Sequence, residues 1–198
     1  MATYSFPSVA PSSLVWQLVS NAASYPSAFT GAIQTLDRGG ERWSATLTFT
    51  NLKGDDRAEM DGFISRLNGQ QHRFTLQNYA APQRGTLNGT PLVNGAAQTG
   101  ASIDIDGATP SQTNWIRAGD FFSVNGELKQ CVLDADSDGG GNVTIEFRPR
   151  LRVSPSDNAP VTIFQPTGTF LLANDGVAIS SRPGVFSSLQ IECVEDIT

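Results

Sequence analysis

Asp134, Asp136 and Asp138 alternate with small residues in the stretch DADSDGGGNVTIE and run into Gly139. A calcium-wrapping loop has this spacing: oxygen ligands at positions 1, 3 and 5, a glycine at 6, and a bidentate Glu at 12. Position 12 is Ile145 here, and Glu146 lies one residue beyond it. In extended chain, a slip of one residue turns the carboxylate to the opposite face. The flanking runs LKQCVL and NVTIEF read as strands, whereas such a loop is normally flanked by helices. Asp and Gly are also what a tight turn between strands demands. The expectation is a hairpin turn and no metal.

Other chemistry finds less support. His72 is the single histidine, on a strand-like run, and no Gly-x-Ser-x-Gly elbow accompanies it. Cys131 and Cys193 sit in apolar β-like segments and read as reduced, buried thiols. The 19 acids fall mostly in turn-like contexts, where a solvated surface is the default, so paired carboxylates for glycoside hydrolysis have little to recommend them. Neither a phosphate-cradling Gly loop nor a Cys/His cluster for zinc occurs. No catalytic, cofactor-binding or metal residue is expected, and no cofactor.

Two constellations suggest binding. Arg148, Arg150 and Arg152 in RPRLR share one face if the run is extended. They form either a solvated strand face or a contact for an acidic surface. Such a surface exists in residues 101–146, which hold eight carboxylates against two cations, and it could belong to the same chain or to another copy. Trp115, Phe121 and Phe122 could form a glycan-binding aromatic face.

The elements that must position these residues follow from composition and periodicity. With 198 residues, 19 Gly and 11 Pro, the chain has room for a large core and a turn-rich, strand-based architecture. A net charge of −6 argues against general nucleic-acid binding. No apolar run is long enough to span a membrane, so no membrane insertion is expected. The N-terminus lacks the basic-then-apolar order of a signal peptide, which points to synthesis in cytosol.

Up to about Phe29, prolines at 7, 11 and 26 predict extended chain with at most short strands. Trp43, Ala45, Leu47 and Phe49 then alternate with Ser44, Thr46 and Thr48, the signature of a half-buried antiparallel strand. KGDDRAEMDGFISRLNG reads as the one helix, about residues 55–68. Asp55 or Asp56 is its expected cap, Glu59 completes a capping box, Met60, Phe63, Ile64 and Leu67 share a face, and Gly69 stops it. A strand carrying His72, Phe74 and Leu76 follows. From Ala80 the texture changes to short β runs punctuated by Asn-Gly and Asp-Gly, as in a small barrel, and longer strands return near Pro160. A unit at 83–160 inserted into one formed by 1–82 and 161–198 is expected, with a closing strand at Ser188 to Asp196 pairing back to the N-terminal part.

The segment RWSATLTFTNLKGDDRAEMDGFISRLNGQQHRFTL resembles the N-terminal part of tail-tip proteins of long-tailed, flexible bacteriophages: strand, amphipathic helix, strand. AGDFFSVNGELKQCVLDADSDGGGNVTIEFRPRLR resembles their middle region. The family is that of the distal tail proteins. The resemblance covers most of residues 36–152 in order and texture, without a rigid motif. It implies a mainly β fold: a tail-tube-like β-sandwich with one helix, carrying an inserted small barrel of oligonucleotide/oligosaccharide-binding type. It further implies a structural role in the virion, as a ring of six copies that joins the tail-tube protein to the hub or tip proteins, with no catalytic residues. The 198 residues leave no room for the additional carbohydrate-binding module of some relatives, so none is expected within them. Another minor tail, tube or completion protein, or a carbohydrate-binding β module, are the alternatives.

Overall fold

A computed structural model of the chain describes residues 1–182 and 186–197. In chain order the strands are β1 (Thr3–Ser5), β2 (Ser13–Val19), β3 (Ala22–Pro26), β4 (Ile33–Asp37) and β5 (Arg42–Leu52). The helix α1 (Gly54–Leu67) precedes β6 (Arg73–Gln77), β7 (Gly89–Val93), β8 (Ser102–Ala108), β9 (Phe121–Val124), β10 (Glu127–Cys131) and β11 (Val143–Arg148). The chain closes with β12 (Val161–Thr162), β13 (Thr167–Leu172), β14 (Ile179–Arg182) and β15 (Phe186–Glu195). The fold is mainly β with one helix, as the composition requires.

A seven-stranded sheet runs β1-β6-β13-β15-β5-β2, with β14 added on β15. Its centre is the alternating strand read from the sequence. Trp43, Ala45, Leu47 and Phe49 are buried, while Ser44, Thr46 and Thr48 lie half-exposed on the other face. The closing strand β15 pairs antiparallel along β5, from Ser187 opposite Leu52 to Val194 opposite Ser44. The two ends of the chain therefore share one sheet.

α1 seals part of the inner face. Met60, Phe63 and Leu67 are buried and Ile64 packs against the same core. Phe63 meets Phe6 and Phe74 edge-on, at centroid distances of 5.1 and 5.6 Å. The helix ends differ from expectation. Lys53, in extended conformation, is the N-cap and makes no side-chain capping bond. Asp55 and Asp56 lie inside the first turn, where their charge still favours the helix through its dipole. At the other end Asn68, at φ 49°, is the first left-handed residue, one before Gly69.

The second sheet runs β12-β9-β10-β11-β8-β7. Its outer strands come back together: Leu92 bridges Pro160, Val93 N–H donates to Ala159 O at 2.9 Å, and Asn158 N–H donates to Val93 O at 2.9 Å. The result is a small, nearly closed barrel around Ile103, Ile105, Phe122, Ile145 and Phe147. Val161–Thr162, assigned from sequence to the returning outer unit, pairs instead with β9, and Val161 lies in the barrel core; the first sheet resumes at Thr167.

The β9–β10 hairpin docks on the inner face of the first sheet. Phe121 and Leu128 belong to that sheet's core, and the Trp43 indole Nε1–H donates to Leu128 O at 2.9 Å. Contact is so close at Gly168 that an added Cβ would lie 2.9 Å from Leu128 Cβ.

The N-terminal stretch is more regular than its prolines suggest. β2 pairs with β5 over seven residues, from Ser13 opposite Thr48 to Val19 opposite Arg42. Leu14 and Trp16 face inward and Val15 outward, so the sequence LVWQLV never alternates cleanly. β3 and β4 form a separate two-stranded sheet. Among the described residues, no helix is long and apolar enough to cross a membrane.

Candidate interaction surface

The most unusual surface is the arm made by β3 and β4. The strands pair from Ala22 opposite Asp37 to Pro26 opposite Ile33. At the tip, Ser27 holds the turn: its Oγ accepts from the N–H groups of Phe29 and Thr30 at 3.4 and 3.3 Å, and Ser27 N–H donates to Ala32 O at 2.8 Å. Tyr25, Ile33 and Leu36 are more than half exposed, and Phe29 is fully exposed. A two-stranded hairpin on its own is marginal in water, and clustered apolar exposure marks a surface made for contact. Val15 and Val19 extend that surface along the outward face of edge strand β2.

The arm's base is anchored by charge. Arg150 pairs with Asp37 at the end of β4 and lies 3.8 Å from Glu41. The Gly39 N–H, followed by the Arg150 guanidinium, holds the Asp37 carboxyl below its ordinary pKa. Arg152 chelates Glu195, whose Oε2 also accepts the Trp43 N–H at 3.1 Å. Lys129 is fully buried; its Nζ donates to Glu127 Oε2 at 2.5 Å and to Arg150 O at 2.9 Å. Burial pulls the Lys129 pKa down, and Glu127 opposes the shift. Forming a buried pair of this kind adds little net stability, but removing one partner is costly because it strands the other charge.

The arginine row therefore acts within the chain at two of its three positions. Arg150 ties the barrel to the arm through Asp37 and lies near Glu41, while Arg152 ties it to the first sheet through Glu195 and also lies near Glu127 of the barrel itself; only Glu127 lies in the acidic 101–146 region. Arg148 is exposed at the end of β11.

In the aspartate loop each carboxylate serves a different stretch of backbone. Asp134 Oδ1 accepts from Ala118 N–H at 2.8 Å, and Asp136 Oδ1 from Asn114 N–H at 2.6 Å. Asp138 Oδ1 accepts from the N–H groups of Gly140 and Asn142, both at 2.8 Å, and Oδ2 from the Asn142 side-chain amide at 2.8 Å. Those bonds, the side-chain one foremost, hold the Asp138 pKa down. Among the described residues no three His, Cys, Asp or Glu side chains group so as to hold a metal ion. A further carboxylate with the same job escaped the sequence reading: buried Asp120 accepts the N–H groups of Arg84, Gly85 and Arg117 at 2.6, 2.8 and 2.9 Å.

The other singled-out residues are dispersed. His72 Nδ1 accepts from Ala2 N–H at 3.2 Å and its ring meets Tyr4 edge-on, pinning the N-terminus beside β6. Cys131 and Cys193 are buried and free, in different cores. Trp115, Phe121 and Phe122 are buried as well, so they form no aromatic face for a glycan. The arm had one legible signal, the turn residues Ser27 and Gly31 between two apolar runs, but its exposure could not be read from them. The chain matches no family model and no curated protein.

Proposed function

We propose that this chain is a structural bacteriophage tail protein, the subunit of the distal ring that joins the tail tube to the hub or tip, and that it works in the virion without catalysis. The exposed apolar arm, continuous with edge strand β2, carries this reading. A subunit acting alone gains nothing by leaving Phe29, Ile33 and Leu36 in water. The first sheet also has unlike edge strands, among them β1 and β2. Contacts between unlike edges are head-to-tail, and repeating them builds a ring when the rotation closes. The resemblance to distal tail proteins supplies the expected six copies and the neighbours, a tube protein and hub or tip proteins. The aspartate loop is consistent with a structural role, since its carboxylates tie backbone.

Microscopy of the assembled particle tests the reading. A single ring of this protein at the end of the tail tube is the expected result. Repetition of the subunit along the whole tail would reassign it as a tube protein. Its absence from intact particles by mass spectrometry, together with a purified chain that stays monomeric at every concentration, would overturn the proposal.

A further inference from the structure

The arm and a pocket stand at the same end of the first sheet, several strands apart. β2 reaches that end at Val19, opposite Arg42 of β5. Ser44 is opposite Val194, Glu195 is opposite Phe170, and Thr167 is opposite Gln77. Crossing the sheet from β2 to β6 takes four strand steps, about 19 Å at ordinary strand spacing. The arm rises from the β2 edge. Across the sheet, the segments just after β6 and just before β13 enclose a cavity of about 260 Å³ against the start of β9.

Tyr79, Leu87, Phe121, Phe164 and Pro166 give this cavity apolar walls, and its polar walls are side-chain amides such as Gln165; no lining residue carries a charge. Two of its walls hold strained backbone. Leu87 and Gln165 have φ of 38° and 45°, in the left-handed region that non-glycine residues seldom occupy. Strain of this sort persists where the surroundings impose it, commonly at sites that clamp a ligand. Phe164 projects from the rim, largely exposed.

We infer that Phe29 at the arm tip of one copy seats in this cavity of the next copy. The inference rests on the ring reading given above and names its contact. A projecting apolar group and a complementary pocket elsewhere on the same molecule make a head-to-tail contact, which is the kind a ring needs. Within one chain the arm stands at the far edge with Phe29 bare, so it does not fill its own pocket. An aromatic anchor entering a desolvated pocket is the usual energetic centre of an interface, and here neither side must strip water from a charge. The Arg150–Asp37 pair at the arm's base fixes the direction in which the tip is presented.

Cysteine cross-linking on the full chain tests this, because both native thiols are buried. Differently tagged Phe29→Cys and Phe164→Cys proteins are mixed, oxidised and compared with each variant alone. The mixture should give a disulfide dimer carrying both tags, and Phe29→Ser should fail to assemble while melting as the wild type does. Wild-type rings with no mixed dimer, or rings that persist in Phe29→Ser, would overturn the arm-to-pocket contact and leave the ring itself standing. Equal labelling of Phe164→Cys in rings and in monomers would also overturn it, leaving the cavity to some other ligand. A wild-type chain that never assembles would overturn both readings.

Discussion

Arg152 grips Glu195 with two guanidinium nitrogens, Nη1 at 3.0 Å from Oε1 and Nη2 at 2.6 Å from Oε2, across the seam between the barrel and the first sheet. Glu195 is buried at the end of the closing strand, and Arg152 follows the last long barrel strand. The same arginine donates to Glu41 O at 3.1 Å, just before the strand that begins with Arg42. One side chain thus joins three remote parts of the chain.

Removing Arg152 leaves a buried carboxylate without its partner. Arg152→Ala should cost about 3–5 kcal/mol of stability, read from denaturant unfolding. Arg148→Glu, at an exposed position, should stay within about 0.5 kcal/mol of the wild type. A wild-type-like Arg152→Ala would show that the pair is not formed in solution. A role for the arginine row in assembly is testable cleanly only at Arg148, since changing the other two strikes the fold.

Phe63 meets two aromatic rings, Phe6 and Phe74, in the core under α1. Phe63→Ala should cost roughly 3–5 kcal/mol through lost burial and the cavity left behind. An unchanged melting temperature would place the helix elsewhere.

The aspartate loop should be indifferent to calcium. Its carboxylates are occupied by backbone N–H groups on separate segments. Thermal melts with calcium and with chelator should therefore agree within about a degree, because a ligand that bound only the native state would raise the midpoint. A rise of many degrees with calcium would refute the turn assignment.

Both thiols should resist modification. Burial pushes the Cys131 pKa up to about 11 and that of Cys193 up to about 12. The thiolate is the reactive form, so near pH 8 a thiol reagent should label neither residue in the folded protein and both after unfolding. Immediate labelling of either one would contradict its burial.

Much of the fold was legible where one physical cause acted alone. In β5, period-2 alternation faced a single core, and in α1 the spacing of Met60, Phe63 and Leu67 faced another part of the same core. β2 was harder to read because its outward side is itself apolar, which erased the alternation. The helix cap misled because Asp55 and Asp56 favour a helix start equally well as caps or as first-turn charges, and the N-cap lies two residues before Asp55, at Lys53.

Residue order alone determined that this protein is a strand-rich chain with one helix and a closing strand that must return to the N-terminal part; of the turn expected at the aspartates only the part after Asp138 is a tight turn, since Ala135 bridges Ile116. Those features depend on local preference and on the period of apolar residues, which neighbours along the chain already encode. Only the tertiary structure decided that Arg152 turns inward to Glu195 and that Arg150 pairs at the surface with Asp37 beside Glu41, while Arg148 stays outside. It alone buried Trp115 and Phe122 while leaving Phe29 bare. Charge pairing and exposure are properties of what lies opposite, across sequence separations of 113 residues for Arg150–Asp37 and 43 for Arg152–Glu195, and no local pattern records what a folded chain places there.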